Sequence, residues 1–310
     1  MRIVSLLPSS TEMVFALGLA DSLVGVTHEC DFPLEALSLP QVTRSAIPPG
    51  ASSLEIDKAV SAALDDQGSI YDLDLDLLER LAPDLILTQR LCDVCAVSFD
   101  RVQAAASELG SHPRIINLEP HGLNDIFENI LTVAEAAGRE PAGREVVRSL
   151  RSRVEAVGSR TASLAERPRV FCMEWVNPPY CGGHWMKALV DLAGGMDALA
   201  NDQRPSYRLE WEKVLRFAPE VIVLTCCGFD LERNLKEGEL LAAFPGVLDL
   251  PAFQAGRVYA TDGSSYFSRP GPRIVESLEI LAHLIHPELF PPPPLNRAFG
   301  ALNFAAVKPV

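Results

Sequence analysis

Residues 88–99, TQRLCDVCAVSF, set two thiols three positions apart. They follow residues 83–87, PDLIL, an apolar run with the length and residue types of a buried strand. Two thiols so placed have three uses: a redox pair, half of a metal site, or part of the wall of a ligand cleft. Between a strand and a helix, a CxxC pair has the placement of a redox motif, because a helix N-terminus lowers a thiol's pKa. A zinc site needs four ligands from Cys and His. Cys92, Cys95, Cys30 and His28 supply four if the loops carrying them lie side by side, and Cys226, Cys227, Cys181 and His184 form a second such set. The third use is packing, for which a small thiol is well suited.

The remaining reactive side chains follow the same rule of position. His28, Glu29, Cys30 and Asp31 come after the strand-like run LVGVT (23–27), and Glu119 and His121 after RIINL (114–118). Glu174, Trp175, Tyr180, Cys181, His184 and Trp185 come after RVFCM (169–173). Cys226 and Cys227 end EVIVL (220–224), and Asp262, Tyr266, Phe267 and Arg269 end RVYAT (257–261). Of the seven cysteines only Cys172 falls inside a strand. In open parallel sheets ligands bind beyond the carboxyl ends of the strands, so these residues are expected to face one cleft. His112, His283 and His286 fall elsewhere and are expected to be structural. The sequence contains no GxSxG elbow, P-loop or HExxH motif.

The elements that position these residues alternate short apolar strands with amphipathic helices, the pattern of an α/β protein with mainly parallel sheets. The two halves repeat. DLLERLAPDLILT (76–88) aligns with EKVLRFAPEVIVLT (212–225) once one extra residue is allowed. In each copy a helix meets Ala-Pro, whose proline stops it. Residues 2–18 and 169–195 likewise share a strand, a proline-containing loop, a helix and a glycine cap. Between the halves, Val146, Val147, Leu150, Val154 and Val157 recur at helical spacing and predict one long helix. The expected organisation is an α/β lobe over 1–139, a rigid linking helix over 140–167, a second lobe over 168–290 and a proline-rich extended tail over 291–310.

At 310 residues the chain is long enough for two cores. Its net charge of -14 argues against nucleic acid or an anionic membrane as partner, since both need a basic face, and the same acidity also serves solubility. No apolar run reaches the ~18 residues of a membrane span, so no membrane insertion is expected. The short apolar run 3–7 ends in Pro8 and is too short for a secretory signal. With an odd number of cysteines, this leads to a cytoplasmic location with free thiols as the expectation, or a periplasmic one if the true start lies upstream.

Several stretches carry a resemblance: RIVSLLPSSTEMVFALG (2–18), GVTHECDFP (25–33), APDLILTQ (82–89), EWVNPPYCGGHW (174–185), APEVIVL (218–224) and RPGPRIVESLEIL (269–281). They resemble the helical-backbone class of ABC-transporter substrate-binding proteins, and within it the cobalamin-binding branch. The resemblance implies two similar lobes, one rigid linking helix and a non-catalytic role. The implied ligand is a corrinoid or other metal chelate held between the lobes. Trp175, Tyr180, Trp185 and Tyr266 would stack on it, with Tyr71 and Phe229 near the rim. His28, Glu29, Cys30 and Glu174 complete the expected ligand set, and His28, Cys30, Cys92 and Cys95 the expected metal set. Asp76 and Glu212, each seven residues before the proline of Ala-Pro, would dock onto an ABC permease. Acidity at a helix N-terminus, favoured by the macrodipole, explains the same pair without a partner. The alternative function is a thiol-dependent redox or metal enzyme using Cys92 and Cys95.

Overall fold

The protein is described by a computed structural model covering residues 1–45, 47, 51–67, 71–90, 97 and 99–304, without the side chains of 61–67. Among the described residues the strands are β1 (Ile3–Ser5), β2 (Leu23–Val26), β3 (Thr43–Ser45), β4 (Tyr71–Leu73), β5 (Leu85–Thr88) and β6 (Arg114–Asn117) in the first half. The second half holds β7 (Val170–Trp175), β8 (Tyr180–Cys181), β9 (Gly183–His184), β10 (Asn201–Asp202), β11 (Val221–Leu224), β12 (Val258–Thr261) and β13 (Phe299–Ala301). The helices are α1 (Pro8–Ala16), α2 (Ser53–Gln67), α3 (Leu75–Leu81), α4 (Phe99–Glu108), α5 (Leu123–Ala136), α6 (Glu140–Thr161), α7 (Met186–Leu192), α8 (Trp211–Phe217), α9 (Leu231–Gly238), α10 (Pro251–Gln254) and α11 (Ile274–Ile285).

The chain divides into two compact units. The first comprises residues 1–120 and 124–148, the second 121–123 and 149–310. In the first, a parallel sheet has the order β2-β1-β5-β6, with Ile3 level with Leu23 and Leu85. Val4, Leu6, Ile86, Val102 and Leu109 form part of its core. The second is built on a sheet of order β13-β12-β11-β7-β8, parallel across β12, β11 and β7. Strand β11, and β7 as far as Met173, are continuous buried apolar runs because both faces are covered.

Both Ala-Pro repeats end their helices in the same way. Ala82 after α3 and Ala218 after α8 adopt the left-handed conformation, at φ 42° and 49°. Their backbone N–H groups donate to the carbonyls of Leu78 and Val214, closing each helix before the proline.

Two boundaries differ from the sequence expectation. The long helix stops at Thr161 and not at 167. The Thr161 hydroxyl donates to the carbonyls of Gly158 and Leu192, which ties the helix end to α7. Residues 140–148 belong to the first unit, where Gly143 lies against Ala134, and the rest of the helix belongs to the second. The segment expected as an extended tail also does more than trail. Its residues 299–301 form β13, antiparallel to β12, with Phe299 opposite Thr261. Three residues are too few to show a period, so no sequence pattern announced this edge strand.

Candidate functional site

In the second unit, three adjacent parallel strands deliver their carboxyl ends to one edge. Trp175 is the last residue of β7, Phe229 lies in the loop after β11, and Tyr266 lies in a one-turn π-helix after β12. The Trp175 and Phe229 rings sit 4.9 Å apart at a 39° tilt. The Arg233 guanidinium lies 4.7 Å from the Phe229 ring. Trp175 is half-buried, and its Nε1 is enclosed with no hydrogen-bond partner. The loops after β11 and β12 touch so closely that a Cβ on Gly263 would lie 2.3 Å from the Cys226 carbonyl oxygen. Only glycine fits there.

Glu174 points to the other side of β7. Its Oε1 accepts the backbone N–H of Gly183 at 2.9 Å, and the Ser206 side chain also donates to it. Burial pushes its carboxyl up to about 7, the two hydrogen bonds opposing the shift and nearby Asp197 adding to it. The loop it holds is tight, since a Cβ on Gly183 would meet the Ser206 nitrogen at 2.3 Å. The next residue, His184, takes φ 50°. Its ring stacks on Trp185 at 5.5 Å and 24°, and lies 6.4 Å from the His121 ring, which belongs to the same unit. Burial lowers the His184 imidazole to about 4, with repulsion from His121 acting in the same direction, so it is neutral at pH 7.

The other sequence-predicted residues divide between surface and interior. Tyr180 is half-buried in β8. Trp185, expected to stack on the ligand, is packed inside: its Nε1 donates to the Phe267 carbonyl at 3.1 Å and it is 6% exposed. It caps α7 and anchors the turn after β12. Tyr266 is also buried, its carbonyl accepting from Ser277 and its ring lying 5.4 Å from the Arg273 guanidinium.

In the first unit, His28, Glu29 and Tyr71 form a cluster after β2. The His28 Nδ1 lies 2.7 Å from the Thr43 hydroxyl oxygen, and the Tyr71 hydroxyl donates to Glu29 Oε1 at 2.8 Å. The His28 and Tyr71 rings are 5.4 Å apart. Burial lowers the His28 pKa, partly offset by Glu29. Cys30 departs from the expected metal set. It is 1% exposed, and its Sγ is 3.0 Å from the Thr11 hydroxyl, within a buried network that includes Ser5 and Ser10. The polar run at the start of α1 is the reason, because its hydroxyls need partners once covered. Cys92 and Cys95 lie outside the described residues.

The second thiol set does not assemble as a metal site. Burial drives the Cys226 thiol well up and the Cys181 thiol up to about 11, so neither is a thiolate at neutral pH. Cys227 is exposed. Among the described residues no three His, Cys, Asp or Glu side chains converge as a metal set. Asp76 and Glu212 are both exposed in the first turns of α3 and α8.

Sequence reasoning missed Asp197. It is 1% exposed, and its carboxylate accepts the backbone N–H groups of Cys172, Leu199 and Ala200. Burial pushes it up to about 6. The available signal was weak: an Asp whose side chain can bond the chain two residues on.

Two α/β units of parallel sheet, linked by one long helix and carrying aromatic side chains at the strand ends, have the build of two-lobed substrate-binding proteins. The sequence profile of the periplasmic binding protein family matches residues 3–264, and the chain belongs to that family. It is 26% identical over 294 residues to an uncharacterised ABC transporter substrate-binding lipoprotein of Bacillus subtilis, covering 93% of this chain and 81% of that protein. It is 25% identical over 287 residues to the vitamin B12-binding protein of Vibrio cholerae, covering 90% and 86%. Two solved structures share the fold. The periplasmic vitamin B12-binding protein of Vibrio cholerae aligns with a TM-score of 0.68 at 24% identity, over 92% of this chain and 96% of that one. The periplasmic heme-binding protein of Roseiflexus sp. RS-1 aligns with a TM-score of 0.69 at 21% identity, over 92% and 98%.

Proposed function

We propose that this protein is a non-enzymatic binding protein for a corrinoid. The observation that carries the proposal is the Trp175–Phe229 pair, a tilted aromatic surface at the carboxyl edge of the second sheet. A flat apolar macrocycle buries most area against such a surface. The vitamin B12-binding relatives support a corrinoid, and the heme-binding structural neighbours make heme the competing ligand. The Trp175 Nε1, enclosed and without a partner, gives a ligand that opens this corner an N–H to bond.

Two settings fit this binding. In an importer the exposed carboxylates of Asp76 and Glu212 would dock on permease cations. In the cytoplasm, as the thiols suggest, the protein would act as a carrier, and cell fractionation decides between the two. Binding itself is tested by titrating aquocobalamin and hemin into the pure protein while recording visible spectra and tryptophan quenching. Cobalamin should bind more tightly than hemin, and Trp175→Ala should weaken it by about 1–3 kcal/mol, roughly fivefold to 150-fold. Tighter binding of hemin, or an unchanged affinity in folded Trp175→Ala, overturns the assignment.

A further inference from the structure

His121 and His184 are the one pair of imidazoles whose rings approach each other among the described residues, at 6.4 Å and an interplanar angle of 37°. We propose that they form a two-imidazole site for a first-row divalent cation such as Ni²⁺, Zn²⁺ or Cu²⁺. An ion bound at ~2.1 Å from a ring nitrogen lies ~3.3 Å from that ring's centre, so two rings sharing it stand at most ~6.6 Å apart. At a tetrahedral angle the separation is ~5.4 Å. The observed spacing is within the outer limit, and a shift of about 1 Å by one ring reaches the tetrahedral one.

The two residues differ in how they are held. His184 is fixed: it follows Gly183, whose backbone is clamped by Glu174 and abuts Ser206, and its ring stacks on Trp185. Its Nδ1 is enclosed without a hydrogen-bond partner, so coordination is assigned to Nε2. His121 is exposed and sits in the loop between β6 and α5. Imidazole is a donor suited to this class of cation. Water or an oxygen of a bound ligand completes the coordination.

The site is independent of the corrinoid assignment and is tested without it. Ni²⁺ is titrated into the full-length protein by calorimetry, using wild type, His121→Ala, His184→Asn and His112→Asn. Asn tolerates the positive φ of both His184 and His112, so these variants keep the backbone. Wild type and His112→Asn should show one matching site. His121→Ala and His184→Asn should each weaken it at least tenfold, and the double variant no further than either. Absence of binding in wild type overturns the site. So does equal binding by all variants, which assigns the metal to other groups such as the thiols.

Discussion

Replacing Glu174 by Gln should change how the second unit's stability depends on pH. Glu174 titrates at about 7 in the folded protein against an ordinary 4.5, mainly because burial disfavours its charge. An acid with a raised folded pKa binds its proton more tightly when folded. Its contribution is therefore full below pH 4.5 and is lost as pH rises to 7. Ionising it in the folded protein costs about 3 kcal/mol more than in the unfolded chain, and at pH 5 less than about 1 kcal/mol of that has been incurred. Gln keeps an oxygen to accept the Gly183 N–H and carries no charge. Glu174→Gln should match wild type within about 1 kcal/mol at pH 5 and exceed it by about 2–3 kcal/mol at pH 8. Asp197, raised to about 6 by burial, contributes a loss of the same direction between its ordinary 3.8 and 6, present in both proteins.

The assay is urea unfolding at pH 5, 6, 7 and 8. All three tryptophans, Trp175, Trp185 and Trp211, lie in the second unit, so their fluorescence follows that unit alone. The two proteins' midpoints should diverge between pH 5 and 8. Midpoints that run parallel would refute a buried, raised carboxyl at Glu174. A variant less stable than wild type at pH 8 would show that the carboxylate form holds the Gly183 loop better than the neutral one.

Gly183→Ala should destabilise the second unit by about 3 kcal/mol or more, because the new Cβ strikes the Ser206 and Arg204 backbone, while Gly228→Ala, at φ 73° with open space around it, should cost about 1 kcal/mol. Equal costs by urea unfolding would remove the close approach as the reason for glycine at 183. Arg153 donates to both oxygens of Glu279, at 2.9 and 2.7 Å, from a partly exposed position between α6 and α11. Arg153→Ala should cost about 1 kcal/mol in 0.1 M salt and less in 1 M, a difference that thermal melts at the two salt concentrations will show or deny.

The sheet of each unit was legible because its strands are short, continuous apolar runs flanked by turn residues, and the Ala-Pro repeat marked two helix ends that the structure closes in the same conformation. The edge strands β8, β9, β10 and β13 were not legible, because two or three residues carry no period and their pairing depends on loops folding back. The site divides along the same line. Position at a strand end placed Glu174, Trp175, His28 and Glu29 at the carboxyl edges of β7 and β2, since topology alone carries such residues there. It did not say which way each side chain turns. Trp175 is the last residue of a strand and turns toward Phe229. Trp185 follows a left-handed histidine and turns inward to bond Phe267. Cys30 shares its loop with His28, but the hydroxyls of Thr11, Ser5 and Ser10 fill the space beside it, and the thiol joins them. Direction is set by tertiary neighbours far along the chain, and a one-dimensional pattern holds no record of them. The same reasoning separates the two imidazole assignments. The His121 ring lies beside that of His184 across 63 positions of sequence, whereas Cys181 and Cys226, two of the thiols grouped with His184 in the sequence, are buried and protonated.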